Sequence, residues 1–185
     1  MKDPTMVITG KDTRFTYCNL AEPKSSFGDA PRYSISLVIS KDDRQTVKAL
    51  EDGQRAAYEK YRERLKDRDG MVPPMDSESI KLAIRDGDVD RPGNPVYQNS
   101  FFVNASSEKM PKLFAADGSE VTDRSEVYSG CYGKAAVRFF AFNTPKHRGI
   151  GCQLLAAQKI RDGEMLGGAT VTIADFMDAD DEAIL

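Results

Sequence analysis

The stretch YSGCYGKAAVRFFAFNT, Tyr128 to Thr144, has the length and alternation of a long β-strand, and its two faces differ in kind. Side chains on a strand point alternately to opposite sides. Ala135, Val137, Phe139 and Ala141 therefore share one face, small and apolar as a core face should be. Lys134, Ala136, Arg138, Phe140 and Phe142 share the other. A solvated strand face ordinarily carries Thr, Ser, Lys or Glu, whereas cations alternating with flat rings suit a polyanion that also offers stackable rings, as single-stranded nucleic acid does. The competing reading is that a helix or a second subunit covers Phe140 and Phe142, since an antiparallel sheet commonly packs one face on the core and leaves the other solvated.

Working outward, TRFTYCNL alternates around Phe15 and Tyr17 and stops at the loop signals of AEPKSSFGDAP. RYSISLVIS follows as a strand with Tyr33, Ile35, Leu37 and Ile39 on one face and Arg32, Ser34, Ser36 and Val38 on the other. Ser40 is placed to cap a helix with Asp42 and Asp43 in its first turn, where carboxylates favour the positive end of the helix dipole. Val47, Leu50, Ala57, Tyr58, Tyr61 and Leu65 recur at helical spacing, so the pattern predicts one helix over 41–66, with Gly53 as a place for a bend. Its charged face mixes both signs and reads as solvated. After a Pro-rich linker come IKLAIR, NSFFVNASS, PKLF and the returning IGCQLLAAQKIR, all strand-like. In NSFFVNASS, Phe101 and Phe102 must point opposite ways, so one ring leaves the core. The expectation is a mainly β (α+β) domain over 1–172: a five-stranded antiparallel barrel with one long inserted helix, followed by an acidic tail over 173–185.

Composition bounds the function. At 185 residues, 40% hydrophobic and 30% charged, the chain suits one soluble domain, and no apolar run approaches the ~20 residues of a membrane span. The start, MKDPTMVITGKD, lacks the apolar segment of a secretory signal, so a cytoplasm is expected. Cys18, Cys131 and Cys152 are odd in number and widely spaced, which reads as free buried thiols. With His147 the only histidine, zinc by the usual Cys/His schemes is not expected. Of 29 acidic residues, five (Asp175, Asp178, Asp180, Asp181 and Glu182) lie in 173–185, which leaves 26 Lys and Arg against 24 acids in the body. A mildly basic body thus carries an acidic tail, and the overall negative charge does not argue against a nucleic-acid ligand.

No phosphate-loop glycine pattern or nucleophile elbow appears. DGDVD, Asp86 to Asp90, begins like a calcium loop but has Arg91 at the sixth position and Tyr97 at the twelfth. Asp86, Asp88 and Asp90 leave open a metal-dependent nuclease as the rival reading, and self-association through the aromatic face leaves open an assembly component. His147 lies in the basic turn KHR, where contact with phosphate or solvent fits better than base catalysis. Basic and aromatic residues interleave in RFTY, PRY, KMPKLF and the quoted strand. From the face argument the DNA-binding candidates are Lys134, Arg138, Phe140, Phe142 and Tyr132, with Arg32, Arg85, Phe102 and Lys112 behind them. Neither a catalytic residue, a metal nor a cofactor is expected, and a homodimer is left open. The tail, with Phe176 and Leu185 as its apolar grips, is a candidate local competitor for a cationic groove and a contact for partners.

RYSISLVISK, AIRDGDVDRPGNPVY, FFVNASS, VYSGCYGKAAVRFFAFNT and RGIGCQLLAAQKIRDGEMLGG together resemble, in order and spacing, a bacteriophage and prophage family long catalogued only as a domain of unknown function. That family is similar to the phage single-stranded-DNA-binding proteins with an oligonucleotide/oligosaccharide-binding (OB) fold, and the resemblance spans about residues 6 to 176. It implies a non-enzymatic, non-sequence-specific single-stranded-DNA-binding protein of phage replication or recombination, acting in the bacterial host cytoplasm. In those proteins an acidic carboxy-terminal tail contacts the replication machinery and competes with DNA. Their tail often ends in an aromatic residue; this chain ends in Leu185.

Overall fold

The period-two alternation becomes eight strands, and the helical stripe one long helix, in the computed structural model, which describes residues 3–25 and 29–166. In chain order the elements are β1 (Met6–Ile8), β2 (Thr13–Lys24), β3 (Arg32–Ser40), α1 (Arg44–Lys60), β4 (Ile84–Asp86), the single turn α2 (Gly87–Asp90), β5 (Ser100–Ser107), β6 (Lys112–Phe114), β7 (Tyr132–Asn143) and β8 (Arg148–Arg161). Antiparallel ladders join β2 to β3, β3 to β5 and β7 to β8. β2 returns to β7 at Thr13↔Gly133 and Arg14↔Tyr132, and β5 meets β8 in parallel at Ser106↔Gln153. The pairing thus runs β7, β2, β3, β5, β8 and back to β7, with β1 beside β7, β4 beside β5 and β6 beside β8. This differs from five antiparallel strands: there are three further short strands, and β8 lies parallel to both β5 and β6. Alternation specifies that a strand exists but not its neighbour. The β7–β8 hairpin reverses the chain once more, and the returning strand closes on β5 running the same way.

The inward face of β7 is the core face that the sequence implied. Ala135, Val137 and Phe139 are fully buried with Phe15, Ile35, Leu37, Val103 and Leu154 from the facing strands. The helix is shorter than 41–66. Its cap is Asp43, whose carboxylate accepts from the Thr46 N–H, and a 3-10 turn over Arg62–Leu65 follows its end. Ser40 instead stays in β3. A side chain three residues upstream of a free N–H satisfies it wherever the backbone turns, so Asp43 serves as well as Ser40. Leu50, Ala57 and Tyr58 are buried as expected. Gly53 marks contact rather than a bend: a Cβ there would lie 2.6 Å from Val7 Cγ2 and 3.0 Å from the Phe139 ring. The helix therefore rests backbone-first on β1 and β7.

The acidic stretch 86–90 is built into the fold. Lys41 Nζ bridges Asp86 at 2.9 Å and Asp88 at 2.8 Å, while Arg85 holds Asp90 at 2.9 Å. Asp86 also accepts the Asp88 N–H and Asp88 the Asn99 N–H. Asp86 and Asp88 share Lys41 while Asp90 faces Arg85, and among the described residues no three His, Cys, Asp or Glu side chains are grouped to hold a metal ion. The three carboxylates of the nuclease reading are thus each engaged in an ion pair.

Two outcomes follow. In Gly53→Ala, helix propensity favours alanine by roughly 1 kcal/mol, but overpacking against buried Val7 and Phe139 costs about 1–3 kcal/mol. A net loss of stability is expected in chemical denaturation; a gain would show that the helix is seated more loosely. Hydrogen bonding to Lys41 holds the Asp86 and Asp88 carboxyls below their ordinary value of 3.8. Their contribution is therefore present above that value and lost as pH falls through the depressed one. In Lys41→Gln, NMR titration should show both carboxyl pKa values rising; unchanged values would mean that the bridge does not form in solution.

Candidate nucleic-acid interface

Strand β2 does not follow β3 without interruption. Its register shifts between Thr16 and Asn19 and again before Lys24, and at the first shift Tyr17 takes φ 47°, a left-handed conformation that non-glycine residues rarely adopt. Such a residue costs on the order of 1–3 kcal/mol and persists only where surrounding contacts over-determine it. Here they do. The Cys18 N–H donates to Ser129 Oγ at 2.9 Å, and Thr16 Oγ1 shares a 3.0 Å hydrogen bond with the Tyr97 hydroxyl. Phe15 and Tyr17 have the same parity, yet Phe15 is fully buried and Tyr17 is 66% exposed. The bulge turns one ring out.

Beneath Tyr17 lies a trough of about 490 Å³ across the outer faces of β2, β3 and β5. The register Ser34↔Ser106 and Ser36↔Asn104 makes its floor short, polar and uncharged, and Asn19 Nδ2 donates to Ser34 Oγ at 3.1 Å. Residues 87–98 form one wall. Tyr97 lies buried in it, its hydroxyl 3.0 Å from Thr16 Oγ1 and 3.4 Å from Ser36 Oγ. Arg91 stands at the rim, with its guanidinium carbon 5.9 Å from the Tyr97 ring centroid. A second hollow of about 540 Å³ adjoins it on the β2 side and shares Tyr17, Asn19 and Tyr97, with Lys24, Cys18 and Leu166 on its margin. Burial pushes the Cys18 thiol up to about 12, so this cysteine is not a thiolate nucleophile. The arrangement offers an exposed ring, a hydrogen-bonding floor and cations at the edges.

The residues singled out from the sequence fall into several places. Lys134, Arg138, Phe140 and Phe142 do lie on the outer face of β7, Lys134 exposed and the other three half-buried. That face is separate from the trough, because β7 reaches the trough strands only through Thr13 and Arg14 of β2. Lys134 is exposed beside a shallow hollow with Ile8, Ala136 and Ala156, Arg138 lies 3.4 Å from Asp3, and the Phe140 ring covers Gly151 of β8. Tyr132 has Arg161 at 4.1 Å and Arg14 at 5.3 Å from its ring centroid, so the protein's own guanidinium groups occupy it. Arg32 is exposed and paired with Glu108, and Lys112 is exposed on β6. Phe102 is a correction: it is the ring that leaves the main core, but it is 0% exposed, closed over by Tyr97, Arg85 and Arg91. It cannot stack on a base, and Arg85, 5.1 Å from its centroid and bonded to Asp90, is a packing cation. The tail candidates Asp175, Phe176, Asp178, Asp180, Asp181, Glu182 and Leu185 lie outside the described residues.

Tyr17, Asn19, Arg91 and Asn104 are trough residues that the face argument missed. The interleaving in RFTY was the available signal for Tyr17. For Asn104 the signal was the alternation of NSFFVNASS, which puts it on the face of Phe102 and Ser106; for Arg91 the sequence carries none, since its position depends on residues 87–98 folding over the strands.

The chain compares with known proteins as follows. No curated protein sequence matches it. Its fold is similar to the single-stranded DNA-binding protein from bacteriophage Enc34 in complex with ssDNA, with a TM-score of 0.72 at 24% identity over 88% of this chain and 90% of that one. A C-terminal truncation of the phage Enc34 protein gives 0.72 at 22% identity over 88% of each chain. The gp2.5 protein encoded by bacteriophage T7, a single-stranded DNA-binding protein, gives 0.65 at 11% identity over 90% of this chain and 97% of that one. At these identities the likeness is one of fold. A family model described as Enterobacter phage Enc34, ssDNA-binding protein, matches residues 5–184, and the chain therefore belongs to that family.

Proposed function

We propose that the protein binds single-stranded DNA without sequence preference in the trough over β2, β3 and β5, and that binding alone is its activity. The observation that carries this is Tyr17, an aromatic ring exposed by a strained bulge over a polar floor with Arg91 and Lys24 beside it. A base can stack on the ring whatever its identity, while the cations meet phosphates and release counterions. The family match supports this ligand. We further infer that β2, β3, β5, β7 and β8 form a partly open barrel of the OB type, in which the face of the second and third strands takes the ligand. The one-pair seam between β5 and β8 is in keeping with an open barrel.

The tail belongs to the same reading. The described chain ends by crossing the β2 side of the trough: the Leu166 N–H donates to the Ser129 carbonyl at 2.7 Å, Arg14 holds the Glu164 carbonyl, and Leu166 lines the second hollow. An acidic segment that follows seven residues later in the chain has a high effective concentration at the trough, so it competes with DNA and is freed for partner proteins of phage replication or recombination when DNA displaces it. Among the described residues no helix is long and apolar enough to cross a membrane, in keeping with action in the host cytoplasm.

Anisotropy titration of a labelled oligothymidine tests the binding reading. Tyr17→Ala should weaken binding by ~1–3 kcal/mol, about 5- to 150-fold at 25 °C. The logarithm of affinity should fall with that of salt by about 0.7 for each phosphate contacted. Wild-type affinity in Tyr17→Ala, or no salt dependence, would overturn the trough as the site. Removing residues 173–185 should tighten binding at low salt; an unchanged affinity would leave the tail a solubilising appendage.

A further inference from the structure

At the far end of the β7–β8 hairpin from Lys134 lies a pocket of about 290 Å³ that the trough does not use. Its geometry begins with Gly149. The Lys81 N–H donates to the Arg148 carbonyl, the Ile150 N–H donates to the Lys81 carbonyl, and a Cβ on Gly149 would lie 2.1 Å from that carbonyl. Only a residue without a side chain lets the segment before β4 lie this close. The result is that Lys81 sits beside the turn that carries Lys146, His147 and Arg148. The turn is tied by Thr144, whose N–H and hydroxyl both donate to the His147 carbonyl while Oγ1 accepts the His147 N–H.

Lys81, Lys146 and Arg148 form no ion pair among the described residues, although Glu78 is on the same rim. Arg148 Nη1 is buried and has no hydrogen-bond partner. A buried guanidinium N–H without an acceptor is uncommon, and a tetrahedral oxyanion supplies the acceptors that such a group and two lysines lack. We propose that this pocket is a phosphate site, and that it takes a backbone phosphate of the single strand beyond the length lying in the trough. The proposal rests on the trough reading for the source of the strand; the phosphate chemistry of the pocket stands without it.

The test compares oligothymidines of about 6 and about 20 nucleotides, spanning the usual range for one binding fold, against wild type, the double variant Lys81→Gln/Lys146→Gln, and Arg148→Gln. Inorganic phosphate is titrated in parallel by amide NMR of residues 144–149. The expected result is loss of roughly three- to tenfold in affinity for the long oligomer, a salt slope smaller by about 0.7, unchanged affinity for the short one, and amide shifts with phosphate. The exposed lysine pair guards against a folding defect in Arg148→Gln, and thermal melting is read for both. Wild-type affinity for the long oligomer in both variants overturns the proposal, as does equal loss at both lengths. Phosphate shifts without a change in DNA affinity would assign the pocket to a free anion and overturn the strand contact. Failure of the trough reading is distinct: it is seen with Tyr17→Ala on the short oligomer.

Discussion

The register shift in β2 is the constraint on which the trough side of this molecule depends. A strand that kept its ladder with β3 would place Tyr17 on the same side as Phe15, inside a core already filled by Phe15, Leu37 and Phe139. By giving Tyr17 a left-handed backbone, the shift puts a large ring in solvent, beside the hollow between β2 and the 87–98 wall. The hydrogen bonds at Thr16 and Cys18 on either side hold the strained residue in place. Strain stored at one residue and secured by its neighbours is what a rigid stacking platform needs, because a ring fixed before the base arrives loses less freedom on binding.

Charge is arranged by the same economy. The cations that the fold needs are tied down: Lys41 by Asp86 and Asp88, Arg85 by Asp90 and the Phe102 ring, Arg161 by Asp12 and Tyr132. Most of these pairs are near the surface and individually worth little. Their role is to settle which cations remain. Arg91 at the trough, and Lys81, Lys146 and Arg148 at the hairpin tip, carry no ion pair among the described residues.

Much of the architecture was legible from pattern alone. The core face of β7, the strand pairing faces of β3, the early long helix and the separation of an acidic end all follow from side-chain period and charge count, which are local properties of the chain. The ladder partners were not legible, because alternation is identical for every neighbour. Nor was the choice between two outward aromatic faces. Phe140, resting on Gly151, and Tyr132, held between two arginines, have the residue types of a nucleic-acid face but are engaged by their own protein.

What the sequence by itself determined is a mainly β chain with a basic body, an acidic end, free thiols of which Cys131 and Cys152 are buried and Cys18 half-buried, and rings interleaved with cations. What only the tertiary structure decided is which rings are reachable. Phe102 and Tyr17 look alike in sequence, each an aromatic near a cation on a strand. One is buried because residues 87–98 fold over it from outside the strand, and the other is exposed because a single backbone angle leaves the β region. Both facts depend on contacts between segments far apart in the chain, so no reading confined to neighbouring residues could have supplied them.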